Sequence, residues 1–443
     1  MKKLFIILLS AALLLPAAVL PARAAYNSEL DLDAGIVYML SLDKDCTVIY
    51  DKNSDKVFNP GAIVKIVTGI LVIENCPSLD EELVADAESV NSVIGTGSST
   101  VGISTGERMT VRDMLYCALV YNAADAVAVL AKRVAGSQEA FTDMMNDFAA
   151  KLGCTSTYFS NPIGYGTEQY TTAKEMAAIY TYCMNNSTFA QILGTDYFEI
   201  EPTNVYGYTR YLKTTNGLMN SVIQDYYLQH VKAGKSGVSD DDMCSCVSSA
   251  SKDGYNYLCV IADAPYADFD SDDVTENMSF ICAKKLYNWT FSNIKLKIIA
   301  NTSAYVTEVR VRLSDEYDYV SLSPAEEISA LVPSLIGSES VLIEPIPDTI
   351  PESVKAPLKK GDIIGRAAIK YAGETIAEVD LCAAFDVKVN YLRAFVDGIF
   401  RILKSTAFRV LFCISLAAGL AFVFYVLRGG KPRKKNKLTV VKK

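Results

Sequence analysis

Histidine is nearly absent from this chain of 443 residues, His230 being the only one. Paired Cys-x-x-Cys knuckles are absent as well, so the ligand sets that hold zinc cannot be assembled. A lone histidine reads as structural, and neither a metal nor another cofactor is expected. The body of the chain also lacks a basic surplus. Of the 42 basic residues, Lys2, Lys3 and Arg23 lie at the start and eight lie from Arg428 onward, where no acid occurs. The 31 that remain face all 51 acidic residues, which leaves the stretch 25–427 at about −20. So acidic a body excludes binding of nucleic acid by bulk electrostatics. No internal repeat or low-complexity tract occurs.

Cysteine, by contrast, is plentiful, at eleven residues. Cys413 lies in an apolar C-terminal stretch, and the other ten would permit disulfides in an exported protein. Their spacing forms no dense framework, and Cys117 and Cys183 sit in apolar runs, as small buried hydrophobes do. Cys244-Ser245-Cys246 alternates as a strand does, which puts both thiols on one face where they bridge poorly. Mostly free thiols are expected.

The two ends define a compartment. Lys2 and Lys3 precede the apolar run Leu4–Leu20, and Ala22-Arg23-Ala24 offers the small residues of a processing site. This pattern predicts a secretory signal peptide over 1–24, with an uncleaved helix as the alternative. Near the other end, Val410–Leu427 carries no charge over 18 residues and can extend back through Ala407-Phe408. That length just spans a bilayer. The basic cluster that follows, Lys431, Arg433, Lys434, Lys435 and Lys437 among it, predicts a cytoplasmic tail over 428–443. It suits anionic lipid. The predicted transmembrane helix is 407–427. Before it, 389–406 alternates apolar and charged residues at helical spacing. This predicts an amphipathic helix on the membrane surface or a helix continuous with the span. The protein is therefore expected in the cell membrane as a single-pass chain with an extracytoplasmic body.

Two ectodomains are expected. In 25–293, Gly35–Leu42 and Asp45–Asp51 read as strands. Ile63–Asn75, Val111–Val134 and Thr142–Leu152 read as helical runs, and Met243–Ser249 and Tyr255–Ala262 read as strands again. Lys252-Asp253-Gly254 suits a hairpin turn. Strands at both ends with helices between them predict an α+β domain whose terminal strands meet in one sheet. From 294 to 388, short strand-like runs such as Tyr305–Leu313 and Ser340–Ile343 and four close prolines predict a small all-β domain.

The chemistry is carried by three short segments. Ala62-Ile63-Val64-Lys65 opens a helix, and three residues is nearly one turn, so positions 62 and 65 share a face. Asn122-Ala123-Ala124 follows Met109-Thr110-Val111-Arg112-Asp113-Met114-Leu115-Tyr116. Lys235-Ser236-Gly237 follows Thr215-Asn216-Gly217-Leu218 and precedes a predicted strand. Together these resemble the serine-type D-Ala-D-Ala carboxypeptidases, the low-molecular-weight penicillin-binding proteins of peptidase family S11, whose motifs are Ser-x-x-Lys, Ser-x-Asn and Lys-Thr/Ser-Gly. Asn161-Pro162-Ile163-Gly164, with Tyr170-Thr171-Thr172-Ala173-Lys174-Glu175, matches a further landmark, a turn followed by a capped helix. Ala356-Pro357-Leu358-Lys359-Lys360-Gly361-Asp362 resembles the C-terminal β-domain of the same proteins. The resemblance covers roughly 27–400. It implies a penicillin-binding-protein or β-lactamase-like transpeptidase domain, then a small β-domain, and here a transmembrane helix.

The resemblance also exposes three gaps. The family's nucleophilic serine is Ala62, and a methyl group cannot attack a carbonyl. The second-motif serine is Asn122, which cannot relay a proton as a hydroxyl does, and the second-motif asparagine is Ala124. Lys65 keeps the place of the family's proton acceptor. Lys235, Ser236 and Gly237 keep the strand edge that, in the family, receives the substrate's terminal carboxylate. Ser98 and Ser99 lie outside helical spacing from Lys65 and do not replace the nucleophile. The resemblance thus implies an inactive homologue that binds peptidoglycan stem peptide or an envelope partner. An active D-Ala-D-Ala carboxypeptidase and a non-catalytic docking protein of the envelope are the alternatives.

Overall fold

The computed structural model describes residues 30–43, 46–239, 241–268, 274–334, 340–371 and 374–428. The predicted signal peptide and the predicted basic tail beyond Arg428 lie outside the described residues. The chain divides into two compact units, the first holding most of the residues before Ile298.

The first unit is organised by one antiparallel sheet. Strand β1 (Ile36–Ser41) and strand β2 (Val48–Lys52) come early in the chain. Strands β3 (Val231–Val238), β4 (Cys244–Lys252) and β5 (Tyr255–Ala264) come late. Their order is β2-β1-β5-β4-β3. Ile36 pairs with Ala262 and Leu40 with Leu258, so the early and late strands meet in one sheet, as expected. Every residue of β1 is buried, which suits its β-branched and aromatic content. The β4–β5 hairpin turns at Asp253 and Gly254, which have φ of 52° and 85°. Both central residues of such a turn need positive φ, as the Asp-Gly pair predicts.

Between these strands lie the helices α1 (Lys65–Asn75), α2 (Val111–Leu119), α3 (Ala124–Ala135), α4 (Gln138–Lys151) and α5 (Ala173–Met184). Thr110 and Asp113 cap α2 reciprocally, and Thr172 caps α5. The predicted run Val111–Val134 is two helices. Asn122 has a φ of 73° and Ala123 is extended, so the chain turns between Leu119 and Ala124. Sequence periodicity continues across this corner because both helices bury apolar faces in the same core.

A last helix of this unit, α6 (Met278–Asn293), packs on the sheet. The Tyr287 hydroxyl lies 3.1 Å from Ser248 Oγ, while the Tyr180 hydroxyl of α5 lies 2.9 Å from Ser249 Oγ. Successive strand residues point to opposite faces, so α6 and α5 cover opposite sides of the sheet. Disulfides do not occur: all eleven cysteines carry free thiols, eight of them buried.

The second unit is built on a six-stranded sheet of β6 (Thr307–Arg312), β7 (Tyr319–Pro324), β8 (Val341–Pro345), β9 (Ser353–Lys355), β10 (Ile363–Tyr371) and β11 (Glu374–Ala383). The order is β8-β10-β11-β7-β6-β9, with β9 parallel to β6. The all-β expectation for this region holds. It is followed by α7 (Tyr391–Lys404) and by α8 (Thr406–Leu427). Helix α8 has 22 residues, buries none of them, and is long and apolar enough to cross a membrane. Ser405, with φ −66° and ψ 143°, separates the two helices and caps the second through the Phe408 N–H. The two helices are separate elements in this structure.

Candidate functional site

Position 62 is set by backbone packing. Residues Gly61–Val64 form a short 3₁₀ turn that leads into α1 at Lys65. Asn59 ties this turn down: its carbonyl oxygen accepts from the Gly61 N–H at 3.0 Å, and its amide donates to the Gly166 carbonyl at 2.9 Å. On one side the turn rests against the Asn161–Gly166 loop. A Cβ added at Gly164 would lie 2.2 Å from the Gly61 carbonyl oxygen. Thr68 Oγ1, one turn along α1, donates to the Pro162 carbonyl at 2.9 Å. The Asn161-Pro162-Ile163-Gly164 loop is therefore the buttress of the turn that carries Ala62.

Against the other side of the turn lies β3. A Cβ at Gly237 would come within 2.9 Å of the Ala62 nitrogen and 3.0 Å of the Pro60 oxygen. Only a glycine lets the strand edge approach position 62 this closely. The first and third motifs, 170 residues apart in sequence, thus share one place. Ala62 keeps partial exposure there, and its side chain is a methyl group.

Two amines converge behind it. Lys65 and Lys235 are each 1% exposed. Neither has an ion-pair partner among the described residues. Burial strips water from the Lys65 ammonium and pulls its pKa down to about 7. Lys235 is held well below the ordinary lysine range, first by burial and then by the charge of Lys65. Its Nζ donates to the carbonyl oxygens of Leu119 at 3.0 Å and Ala118 at 3.3 Å, the last residues of α2. A helix C-terminus carries partial negative charge and unused carbonyls, so this contact offsets part of the desolvation. Sequence reasoning assigned Lys235 to the strand edge and did not foresee its hold on α2. No local signal reports this contact, because it joins residues 117 and 116 positions apart.

The second motif occupies the corner between α2 and α3. Asn122 is half-buried, in the left-handed region that asparagine tolerates. Its side-chain oxygen is buried and has no hydrogen-bond partner among the described residues. Ala124 is fully buried as the first residue of α3, and its N–H donates to the Ser99 carbonyl at 2.8 Å. The Ser98-Ser99 loop thus reaches this corner through its backbone. Asp125, also buried, accepts from the N–H groups of Gly102 and Ile103 at 2.9 Å and fixes the same loop. Ser236 Oγ donates to the Thr215 carbonyl at 3.2 Å.

This arrangement buries two amines near position 62 and offers no hydroxyl there. Among the described residues no group of three or more histidine, cysteine or carboxylate side chains is placed to hold a metal ion.

The comparisons with known proteins agree with the geometry. The family profile for D-alanyl-D-alanine carboxypeptidase, peptidase S11, matches residues 24–266, and that for the penicillin-binding protein 5 C-terminal domain matches 296–389. The chain is 26% identical over 397 residues to the D-alanyl-D-alanine carboxypeptidase DacF of Bacillus subtilis, covering 88% of this chain and 95% of that one. It is 24% identical over 352 residues to DacC of Escherichia coli, covering 77% and 81%. Among solved structures, the D-alanyl-D-alanine carboxypeptidase DacD of Francisella tularensis superposes with a TM-score of 0.61 at 19% identity, covering 82% of this chain and 95% of that one. Penicillin-binding protein 5 of Haemophilus influenzae gives 0.58 at 20% identity, covering 82% and 99%. The penicillin-binding-protein fold expected from the three motifs is the fold observed. With more than half its length matched by one family profile, the chain belongs to the D-alanyl-D-alanine carboxypeptidase family, peptidase S11.

Proposed function

We propose that this chain is an envelope protein that keeps the carboxypeptidase scaffold and its carboxylate-facing edge but has lost serine acyl transfer. It would bind D-alanyl-D-alanine-terminated stem peptide of peptidoglycan, or an envelope partner, without cleaving it. The observation that carries this reading is the pairing of Lys65 with Ala62. The amine that would draw the proton from a nucleophile stands buried at pKa about 7, beside a methyl group. Asn122 and Ala124 remove the proton relay and the side-chain amide of the second motif as well. Groups of this kind act as a unit, so loss of the nucleophile removes most of the rate. Lys65, Lys235, Ser236 and Gly237 remain, and two buried amines without carboxylate partners favour an anionic ligand.

In this reading residues 1–24 are a cleaved leader and 25–293 and 294–388 are the two ectodomains. Helix 389–406 lies at the membrane surface, 407–427 crosses the membrane, and 428–443 is the cytoplasmic tail. The apolar length of α8 supports the anchor.

Fluorescent penicillin tests the loss of chemistry. No covalent adduct is expected on the purified ectodomain. An adduct that survives denaturation and is prevented by excess unlabelled penicillin would overturn the reading in favour of an active carboxypeptidase. Calorimetric titration of a D-alanyl-D-alanine-terminated peptide tests the cleft. Binding is expected in the wild type and not in Lys235→Ala. Absence of binding in both would leave docking as the role.

A further inference from the structure

Helix α7 is held against the strand sheet of the second unit at its start. The Asn390 N–H donates to the Leu313 carbonyl at 2.7 Å, and Arg393 Nη1 donates to the Ser314 carbonyl at 2.9 Å. Along this seam runs an open cavity of about 610 Å³. Leu392, Val396 and Phe400 supply its apolar wall, and Arg312, Arg393 and Lys404 supply its cations. All three apolar side chains are exposed, Leu392 by 71%.

The charges along the seam do not cancel. Asp397 accepts from Arg312 at 3.4 Å, Lys355 at 2.9 Å and Arg401 at 2.8 Å, so one carboxylate faces three cations. The hydrogen bond from Arg401, followed by that from Lys355, lowers its pKa to about 2, so it stays ionised. Arg393 pairs with Asp315 at 2.6 Å. Lys404 has no ion-pair partner among the described residues. A local cationic excess therefore stands out in a body that is acidic overall.

Position identifies the occupant. Lys404 ends α7, Ser405 makes the break, and Thr406 begins the apolar helix. The cationic end of the cavity thus lies one residue from the start of the span, where lipid phosphates sit. An apolar wall that ends in cations at that depth complements an acyl chain joined to an acidic headgroup. We propose that this groove holds an anionic glycerophospholipid of the membrane in which α8 is embedded. Its phosphate lies at Lys404, at the end of α7 next to the span, and its acyl chain lies along Phe400, Val396 and Leu392. The proposal rests on the anchor reading above.

The test uses the full chain in vesicles of equal phosphatidylcholine and phosphatidylglycerol, extracted in mild detergent, with the retained lipids quantified. Phosphatidylglycerol is expected to be retained about fivefold over phosphatidylcholine. Lys404→Glu, which leaves the basic tail intact, is expected to lower the ratio to what the tail retains by itself. Lys404→Gln, at an unpaired surface side chain, is expected to lower it part of the way and covers the case where the charge reversal disturbs the fold. Equal retention in the wild type, or a ratio unchanged by either variant, overturns the lipid site. An alkaline wash separates the two readings. Release of the chain from the vesicles overturns both the anchor and the lipid site, whereas retention without lipid preference overturns the lipid site alone.

Discussion

The amine of Lys235 donates to the carbonyl oxygen of Leu119 at 3.0 Å, which joins the third-motif strand to the end of the helix that leads into the second motif. This bond fixes the strand carrying Lys235 to the C-terminal end of α2. It also places a second buried amine beside Lys65, and most of what can be tested about the site follows from that pair.

Restoring the nucleophile alone is not expected to restore the enzyme. Ala62→Ser supplies a hydroxyl next to a lysine that is about half neutral at pH 7. Slow labelling by fluorescent penicillin is therefore expected. Release of D-alanine from a pentapeptide is expected to stay at least 100-fold below that of Ala62→Ser combined with Asn122→Ser and Ala124→Asn, since a missing proton relay costs about 10²–10⁴ in rate. Equal turnover in the single and triple variants would show that the second motif is dispensable here.

Lys65 makes folding stability depend on pH in a predictable sense. Its pKa is about 7 in the folded chain against an ordinary 10.5. Below about pH 7 the folded state carries a buried ammonium and the penalty is complete. As pH rises above about 7 the folded state loses this proton before the unfolded state does, and the penalty fades. Lys65→Met is thus expected to stabilise the ectodomain most near pH 6, with an advantage smaller by about 2 kcal/mol at pH 8.5. Urea midpoints of both proteins at the two pH values measure this. A difference independent of pH would mean that Lys65 does not titrate in this range.

Two glycines with similar backbone angles separate conformational strain from packing. Gly164 has φ +92° and Gly166 φ +87°, but only the first has a neighbour in the way, the Gly61 oxygen at 2.2 Å from an added Cβ. Gly166→Ala is expected to cost about 1 kcal/mol, the strain alone. Gly164→Ala is expected to cost about 2 kcal/mol more, because the turn carrying Ala62 must shift. Chemical denaturation gives both numbers, and equal losses would show that the turn yields freely.

Glu107 and Arg210 form a buried ion pair, and Glu107 also accepts from the Ser104 N–H at 3.0 Å and the Thr203 hydroxyl at 3.0 Å. Glu107→Ala leaves the guanidinium buried without its partner, and a loss of about 3 kcal/mol or more is expected. Glu107→Met with Arg210→Met removes both charges and is expected to lose less than Glu107→Ala alone. Thermal melts of the two variants decide it.

Much of the fold was legible because local signals agreed with one another. The Asp-Gly turn at 253–254, the capped helix after Thr172 and the apolar run of α8 each act over a few residues, where sequence and structure are nearly the same information. The corner at Asn122 was less legible, since apolar periodicity passes through it and the break lies in backbone angles. The division between α7 and α8 was equally open, because Ser405 can continue a helix or cap a new one. The role of Gly164 as a buttress was invisible, since its neighbour Gly61 lies about a hundred residues away in sequence.

By itself the sequence determined that position 62 carries no nucleophile, because the functional group of a side chain is written in its identity. It also determined that Lys65 follows Ala62 by nearly one helical turn. Only the tertiary structure decided where Lys235 points and what surrounds it. The amine lies on the carbonyls of Ala118 and Leu119, within range of the charge of Lys65 and shielded from water. The physical reason is that identity and spacing are properties of the chain, whereas burial and electrostatic environment belong to segments more than a hundred residues apart that the sheet and helix α2 bring together.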